Sequence, residues 1–289
     1  MNHIIPPALA VIQDLSGIGR CSLSVALPVI SACGVQACPL PTAVFSAHTG
    51  YPSFYKKDLT PILSDIFSSW EQLERHWNGI YCGYLGNREQ MDVLSSYIKK
   101  EKSLYHDTKI ILDPVMGDHG KLYQSLADDY ALSMKNFVSL ADVITPNITE
   151  ACILTGTPFK EGNWCETSLL TISKKLHQLG PTKIIITGIH GDRHFHNFIY
   201  DADTGTFQNY AVPVSGASRP GTGDLFASIV AALYLKDHTL FESVKTAADF
   251  IAACVKCSEE ANVPVCEGVL FENCLSLLTN TVNHKFPGH

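Results

Sequence analysis

Short apolar runs that suit buried strands alternate with amphipathic segments along most of this chain. Within the amphipathic segments, apolar residues recur at helical spacing, as at Met91, Leu94 and Ile98. Parallel strands need crossover connections, so the alternation predicts an α/β fold with a mostly parallel central sheet and helices on both faces. The strand-like runs are Ala8–Gln13, Gly34–Phe45, Gly79–Cys82, Lys109–Leu112, Asp142–Thr145 and Lys183–Thr187.

The last third of the chain departs from this alternation. Phe195–Tyr200 and Thr206–Val212 are joined by a turn-like segment, which predicts a small antiparallel hairpin at the sheet edge. Beyond the hairpin we expect two long helices, at about Asp224–Leu235 and Leu240–Ala261. Near the other end of the chain, Pro28 falls inside a predicted helix and should kink or shorten it.

Composition and charge limit the classes of partner. The 289 residues carry 21 Lys and Arg against 28 Asp and Glu, a formal net charge of −7. This balance offers phosphate backbones and anionic lipids no general attraction, so we expect neither nucleic acid nor a membrane as a partner. No break in composition divides the chain, which predicts a single domain over residues 1–280 and a frayed tail over residues 281–289.

Three further observations favour the cytoplasm. The longest apolar stretch, Leu225–Leu235, is shorter than the roughly 18–20 residues that span a bilayer. Met1–Ile12 lacks the basic residues and the cleavage site of a secretory signal. The 10 cysteines are too sparse for a disulfide scaffold, and several lie in apolar runs. We therefore predict a cytoplasmic protein with reduced thiols.

Polar turns follow the predicted strands. Ligands of open parallel sheets bind at the carboxyl ends of the strands, so several of these turns should line one binding site, which we call the mouth of the sheet. The turns are Asp14–Gly17, Ser46–Tyr51, Gly83–Tyr84, Asp113–Asp118, Thr145–Asn147, Thr187–Gly188 and, before the first long helix, Gly221–Asp224.

The strongest local signal is Arg219-Pro220-Gly221-Thr222-Gly223-Asp224, directly before an apolar helix. Closely spaced glycines let backbone N–H groups converge, and a helix N-terminus adds partial positive charge, so this segment suits an anion. Asp224 is then placed to accept a proton from a substrate hydroxyl that attacks a phosphoryl group. The alternative is that Asp224 only caps the helix.

Carboxylates at strand ends predict a second feature of the mouth. Asp113 follows one strand, Asn147 follows the next, and Glu150 lies one helical turn beyond Asn147. Such carboxylates suit Mg²⁺, a hard cation that takes one or two carboxylates together with phosphate oxygens. Helix capping is the alternative for Asn147 and Glu150, whereas Pro114 and Gly117 break any helix after Asp113.

Other patterns favour packing over chemistry. Gly17-x-Gly19-x-x-Ser22 lacks the third glycine and the acidic residue of a dinucleotide fingerprint. Cys254 and Cys257 resemble half of a zinc site, but they fall within a predicted helix, which favours core packing. Three histidines alternate near the edge hairpin and are expected on an exposed strand face rather than around a metal. They are His190, His194 and His196.

On these residues the chain resembles the ribokinase-like superfamily and, within it, the pyridoxal (vitamin B6) kinases. The resemblance spans Ala10 to about Asn262. Gly221–Asp224 is a superfamily-wide motif, whereas Phe45-Ser46-Ala47-His48-Thr49-Gly50-Tyr51 is the more specific B6 signal. The resemblance implies ATP-dependent phosphorylation of the 5′-hydroxymethyl group of pyridoxal, pyridoxine or pyridoxamine. It also implies Mg²⁺, a monovalent cation such as K⁺, and a homodimer.

The resemblance assigns roles to residues of this chain. It implies that Asp224 is the base, beside an anion hole formed by Gly221, Thr222 and Gly223. The implied substrate residues are Asp14, Ser16, Phe45, His48, Thr49 and Tyr84; the nucleotide residues are Asp113, Thr145, Asn147, Thr187 and Gly188; the metal residues are Asp113, Asp118 and Glu150. From position alone, Tyr84 is either a core aromatic or a contact for a flat ring.

The first strand departs from the pyridoxal kinases. They commonly have Ser after Ile-Gln, whereas this chain has Asp14 and continues Leu15-Ser16-Gly17, which resembles hydroxymethylpyrimidine kinases of thiamine synthesis. Two alternatives therefore stay open: a hydroxymethylpyrimidine kinase, and a non-catalytic protein that binds vitamin B6 in a kinase-like pocket. We expect the Asp14 carboxylate to set the preference among B6 vitamers through a charge-assisted hydrogen bond.

Overall fold

Strands and helices alternate through most of the chain, in a computed structural model that describes residues 5–124, 126–127 and 129–283, with side chains through residue 279. The strands are β1 (Ala8–Ser16), β2 (Gln36–Phe45), β3 (Lys56–Asp58), β4 (Gly79–Cys82), β5 (Lys109–Leu112), β6 (Gly117–Asp118), β7 (Lys121–Leu122), β8 (Val143–Ile144), β9 (Lys183–His190), β10 (His194–Asp201) and β11 (Thr206–Pro213). The helices are α1 (Leu23–Ala32), α2 (Thr60–Gln72), α3 (Arg88–Leu104), α4 (Tyr130–Val138), α5 (Ile148–Thr155), α6 (Glu166–His177), α7 (Thr222–Leu235), α8 (Leu240–Glu260) and α9 (Leu275–Asn283).

Nine of the strands form one sheet in the order β11-β10-β9-β8-β5-β4-β1-β2-β3. The pairs between β2 and β9 are parallel. At one edge β10 and β11 form an antiparallel hairpin, and at the other β3 pairs antiparallel with β2. The predicted mostly parallel sheet with an edge hairpin is therefore confirmed.

Apolar side chains fill a layer on each face of the sheet. Along β1, Val11 packs into the layer under α1, α7, α8 and α9, and Ile12 into the layer under α2 to α6. Strands buried on both faces need apolar residues at consecutive positions, which explains the continuous apolar runs in the sequence. The arrangement sets the N-terminus of α7 beside the carboxyl ends of the central strands.

The main differences from the sequence prediction in the sheet and its first helix concern β1, α1 and β3. β1 continues past Gln13 to Ser16 through an irregularity in its pairing with β2. Pro28 lies inside α1, which nevertheless continues to Ala32. The strand β3 was not predicted, because a polar segment of three residues carries no periodicity and its position depends on pairing with β2.

The C-terminal tail, membrane-spanning helices and the cysteines were also subjects of prediction. The helix α9 includes residues 281–283 of the tail expected to be frayed, and residues 284–289 lie outside the described residues. Over the described part of the chain, no helix combines the length and apolar character needed to span a membrane. The ten cysteines are free thiols.

Candidate active site

The helix α7 begins at the glycine-rich segment. Gly221 precedes its first residue with a φ of 79°, in the left-handed region that favours glycine. A Cβ at Gly221 would lie 1.9 Å from the backbone oxygen of Arg20, so no other residue fits. No side chain caps this helix start. The first backbone N–H groups of a helix lack intrahelical acceptors, so this uncapped end suits an anion.

The Asp224 carboxylate lies in the first turn of α7 but does not cap it. Its Oδ2 accepts a hydrogen bond of 2.8 Å from the backbone N–H of Ser22, in the loop between β1 and α1. Desolvation, with the charges of Asp14 and Asp113, raises the pKa of Asp224 to about 7, although the hydrogen bond from the Ser22 N–H acts in the opposite direction. The capping alternative for Asp224 is thus wrong, and its pKa suits a group that takes up a proton near neutral pH.

Asp14, where β1 is irregular, is a second carboxylate near Asp224. It is buried and accepts hydrogen bonds from the hydroxyls of Ser22 at 2.7 Å and Ser16 at 3.2 Å. Desolvation raises the pKa of Asp14, although these hydroxyls and the charge of Lys56 act in the opposite direction. Two of the predicted substrate residues, Asp14 and Ser16, are therefore in direct contact.

Aromatic side chains lie at the neighbouring strand ends. The rings of Phe45 and Tyr84 meet edge to face with centroids 6.3 Å apart. Tyr84 is only half-buried, which favours a contact for a flat ring over a core aromatic. The Lys56 ammonium lies 5.5 Å from the Phe45 centroid and 5.8 Å from that of Tyr84. The sequence analysis did not single out Lys56, because its position depends on the unpredicted β3.

The two remaining substrate candidates lie in the turn after β2. His48 is buried, and its Nε2 donates to the backbone oxygen of Cys266 at 2.6 Å while its Nδ1 accepts from the Gly50 N–H at 3.0 Å. Both ring nitrogens are thus engaged in tying this turn to the segment after α8. Thr49 is exposed beside it. His48 therefore stabilises the turn after β2, a role that its motif did not indicate.

Asp113, directly after β5, and Glu150, in the first turn of α5, form a buried acidic pair. Asp113 Oδ1 accepts from the Thr145 hydroxyl at 3.1 Å, and Glu150 accepts from the backbone N–H groups of Met116 and Asn147 at 3.0 and 2.9 Å. Desolvation raises the pKa of Asp113 to about 7, and desolvation together with the Asp113 charge raises that of Glu150. Two buried carboxylates that repel each other fit a hard divalent cation.

The other nucleotide and metal candidates surround this pair. Asn147 and Glu150 form a reciprocal capping box at the start of α5, so the capping alternative is confirmed for Asn147. Asn147 also pairs with Thr187 as an isolated bridge, next to the exposed Gly188. Asp118 is exposed and accepts from the His119 N–H at 2.8 Å. Among the described residues, no group of three His, Cys, Asp or Glu side chains is arranged to hold a metal.

The cysteines expected in the core pack there, and the three histidines lie at the edge hairpin, as expected. Cys254 and Cys257 pack in the layer under α8 with Cys274. His190 and His194 are exposed, and His196 Nδ1 accepts from the amide of Asn209 at 2.9 Å.

Arg219 holds the glycine-rich segment in place, a role that its position at the start of the motif did not indicate. Its buried guanidinium donates through Nη1 to the backbone oxygens of Val263, Pro264 and Gly268 at 2.9, 3.3 and 3.1 Å. Through Nη2 it donates to Glu259 Oε1 at 2.9 Å. Its neighbours, Ser218 and Pro220, give no sequence signal for this contact, which joins the anion site to the segment after α8.

We expect Arg219→Met to lower the free energy of unfolding by at least about 3 kcal/mol, because each hydrogen bond to a charged group contributes roughly 1.5–3 kcal/mol. The measurement is chemical denaturation of both proteins. Glu259→Gln is the control: it keeps the carbonyl contacts of Arg219 and removes one half-exposed charge, so a change within about 1 kcal/mol is expected. If both variants lose the same free energy of unfolding, the contacts of Arg219 with the backbone carbonyls do not stabilise the fold.

Comparisons with known proteins identify the family of this chain. A sequence profile of the phosphomethylpyrimidine kinase family matches residues 25–267. A protein of Bacteroides thetaiotaomicron assigned as a phosphomethylpyrimidine kinase is 33% identical, with a TM-score of 0.91 over 100% of this chain and 97% of that one. An orthorhombic crystal form under the same description contains pyridoxal; it is 34% identical, with a TM-score of 0.90 over 95% of this chain and 96% of that one.

Two further relatives represent the two activities. Pyridoxal kinase of Lactobacillus plantarum is 27% identical, with a TM-score of 0.86 over 96% of this chain and 99% of that one. Hydroxymethylpyrimidine/phosphomethylpyrimidine kinase of Aquifex aeolicus is 27% identical over 211 residues, which are 72% of this chain and 75% of the relative. The resemblance to the ribokinase-like superfamily and its vitamin B6 kinases is confirmed, and the chain belongs to the phosphomethylpyrimidine kinase family.

Proposed function

We propose that this protein is a vitamin B6 kinase that transfers the γ-phosphoryl group of ATP to the 5′-hydroxymethyl group of pyridoxal, pyridoxine or pyridoxamine. One observation carries the proposal. The Asp224 carboxylate, with its raised pKa, lies in the uncapped first turn of α7. A base beside an anion site is what phosphoryl transfer to an alcohol requires, and mere binding of a vitamer needs neither.

The chain's own residues account for the chemical step. Asp224 accepts the proton of the 5′-hydroxyl while that oxygen forms a bond to the γ-phosphorus, and the bond from phosphorus to the bridging oxygen of ADP breaks. The N–H groups of the first turn of α7, around Gly221 and Gly223, stabilise the charge on the transferring group. The Phe45 and Tyr84 rings, 6.3 Å apart, offer apolar surface to a pyridine ring.

Asp113 and Glu150 are the residues that would hold Mg²⁺, directly or through water, where it would neutralise charge on the ATP phosphates. The buried, mutually repelling pair supports this part of the proposal. A monovalent cation such as K⁺ and a homodimer complete the proposal, and the family resemblance supports both. A cytoplasmic location is also proposed, and the sparse cysteines in apolar runs support it.

Hydroxymethylpyrimidine is the second candidate substrate. The segment Asp14-Leu15-Ser16-Gly17 favours it, as does the similarity to the Aquifex aeolicus enzyme. Both substrates are flat nitrogen heterocycles with a hydroxymethyl group, so a base, an anion site and an aromatic contact would serve either. The similar protein that contains pyridoxal supports the B6 vitamers.

The experiment is a comparison of kcat/KM for pyridoxal, pyridoxine, pyridoxamine and hydroxymethylpyrimidine at saturating ATP, Mg²⁺ and K⁺. We expect at least one B6 vitamer to exceed hydroxymethylpyrimidine by tenfold or more. Turnover of hydroxymethylpyrimidine alone would assign the protein to thiamine synthesis. Tight pyridoxal binding without turnover of any substrate would indicate a non-catalytic binding protein.

Asp14 gives a prediction about preference among the vitamers. A carboxylate favours a substrate that carries a positive charge, because a charge-assisted hydrogen bond is roughly twice as strong as a neutral one. We therefore expect Asp14→Ser to lower kcat/KM for pyridoxamine relative to pyridoxal by about tenfold, equivalent to about 1.4 kcal/mol. Asp58→Ser, in β3, removes a carboxylate outside the predicted substrate set and serves as the control. An unchanged pyridoxamine-to-pyridoxal ratio in Asp14→Ser would remove Asp14 from this role.

A further inference from the structure

Ser22 connects the two carboxylates of the candidate site. It is buried and directly precedes the first residue of α1. Its backbone N–H donates to Asp224 Oδ2 at 2.8 Å, and its hydroxyl donates to Asp14 Oδ1 at 2.7 Å. One residue therefore contacts both the proposed base and the carboxylate on the substrate side.

The backbone of Ser22 is strained. Its φ of 52° and ψ of −138° lie in a region that suits glycine and is rare for residues with a side chain. Serine before a helix commonly caps it, yet this side chain makes no capping hydrogen bond to α1. The hydroxyl is bonded to Asp14 instead, and a strained residue persists where its surroundings hold it in place.

The loop around Ser22 packs closely on the start of α7. The Arg20 backbone oxygen occupies the space that a Cβ of Gly221 would fill. The Arg20 guanidinium donates through Nε to both oxygens of Glu272 at 2.8 and 3.0 Å, which anchors the loop on its other side. These contacts hold the loop at Arg20, two residues before Ser22, and the hydroxyl bond to Asp14 holds Ser22 itself.

We propose that Ser22 is a positioning residue: its hydroxyl bond to Asp14 holds the strained backbone whose N–H orients the Asp224 carboxylate. With Oδ2 fixed, the direction of Oδ1 is fixed as well, and Oδ1 is the oxygen left to face the substrate hydroxyl. The inference rests on the proposed function, because it needs Asp224 as the base.

A pair of substitutions separates positioning from a direct role. Ser22→Ala removes the hydroxyl but keeps a Cβ that disfavours this backbone conformation, so the N–H should turn away from Asp224. Ser22→Gly also removes the hydroxyl, but glycine adopts the conformation without strain. We expect kcat to fall by about tenfold or more in Ser22→Ala and by at most about threefold in Ser22→Gly, with KM for ATP unchanged, because small errors in the placement of reacting groups cost rate.

Glu74 provides the matched control. It is an exposed residue between α2 and β4 with a φ of 48°, near the end of the sheet where β4 begins and opposite the carboxyl strand ends that carry the site. Glycine relieves the positive φ at either position, so Glu74→Gly should melt above Glu74→Ala, as Ser22→Gly should melt above Ser22→Ala, while kcat of both Glu74 variants stays at the wild-type value. The control thus separates the effect of backbone strain on stability from an effect on the base.

The outcomes are distinct. Equal losses of kcat in Ser22→Ala and Ser22→Gly would mean that the hydroxyl itself acts on the substrate, and wild-type kcat in both would mean that Ser22 orients nothing. Either result overturns the proposal. If the wild-type protein phosphorylates no vitamer, the proposed function fails, and crystal structures of the two variants decide the positioning. We expect the distance from the residue 22 nitrogen to Asp224 Oδ2 to stay near 2.8 Å in Ser22→Gly and to lengthen in Ser22→Ala; an unchanged distance in Ser22→Ala overturns the inference.

Discussion

Asp224→Asn should lower kcat by about 10²–10⁴, the usual contribution of a general base. The amide has nearly the shape of the carboxylate, and its oxygen can still accept the hydrogen bond from the Ser22 N–H. KM for ATP should therefore stay within about twofold, because the anion site of α7 is untouched. Steady-state kinetics with pyridoxal as the acceptor measures both quantities.

The same substitution should raise stability at alkaline pH. The pKa of Asp224 is raised to about 7 in the folded protein, from an ordinary value of 3.8. Its contribution to stability is therefore fully present below about pH 4 and is lost as the pH rises through about 7. Asp224→Asn removes this loss, so the variant should melt above the wild type at pH 8. For activity the sign is opposite, and wild-type kcat/KM should rise with pH up to about 7.

Asp237→Asn is the control for the base. It makes the same change of charge at an exposed residue just beyond the other end of α7. We expect kcat within about twofold of wild type, because a charge so exposed is screened from the site. If Asp237→Asn and Asp224→Asn lose activity equally, or if Asp224→Asn remains active, Asp224 is not the base.

Gly223→Ala should lower kcat/KM for ATP by about 10²–10³ without loss of stability. Obstructing a charge-stabilising site has costs of this size. The nearest atom to an added Cβ is Asp113 Oδ2 at 4.0 Å, so the fold has room for the methyl group. That space lies between the anion site and the acidic pair, where the phosphates of ATP are expected. Kinetics together with thermal melting tests both halves of the prediction.

Gly221→Ala is the contrasting variant. Its Cβ would overlap the Arg20 backbone, and its φ of 79° disfavours any side chain, which costs about 1–3 kcal/mol from the backbone alone. We expect both stability and activity to fall. Full activity in Gly223→Ala would show that the phosphates lie elsewhere, and a melting temperature lowered equally in both variants would reduce Gly223 to a structural role.

Much of the fold could be predicted because the sheet is buried on both faces. The strands Gly79–Cys82 and Lys109–Leu112 match their apolar runs residue for residue. The same logic located the mouth, since Asp14, Asp113 and the start of α7 all follow from where strands end and a helix begins. The β6–β7 hairpin could not be predicted, because two-residue strands hold too few side chains to show a pattern.

The supporting residues of the site were beyond prediction for a different reason. Ser22 and Asp224 are 202 residues apart in sequence, and no local pattern predicts that a serine adopts a positive φ, which favours glycine. Arg219 likewise acts through carbonyl groups that lie more than forty residues further along the chain, at Val263 and Gly268. Sequence motifs therefore indicate the catalytic groups, whereas the residues that position those groups become visible only from contacts between distant segments.

The measurement that tests the central claim most directly is the identity of the product. Wild-type protein is incubated with ATP, Mg²⁺, K⁺ and pyridoxal, and the products are separated, identified by mass spectrometry and quantified. We expect one pyridoxal 5′-phosphate for each ADP formed, and almost none over the same period with Asp224→Asn. ADP without a phosphorylated vitamer, or equal product from Asp224→Asn, would contradict the claim that Asp224 and the α7 N-terminus carry out this transfer.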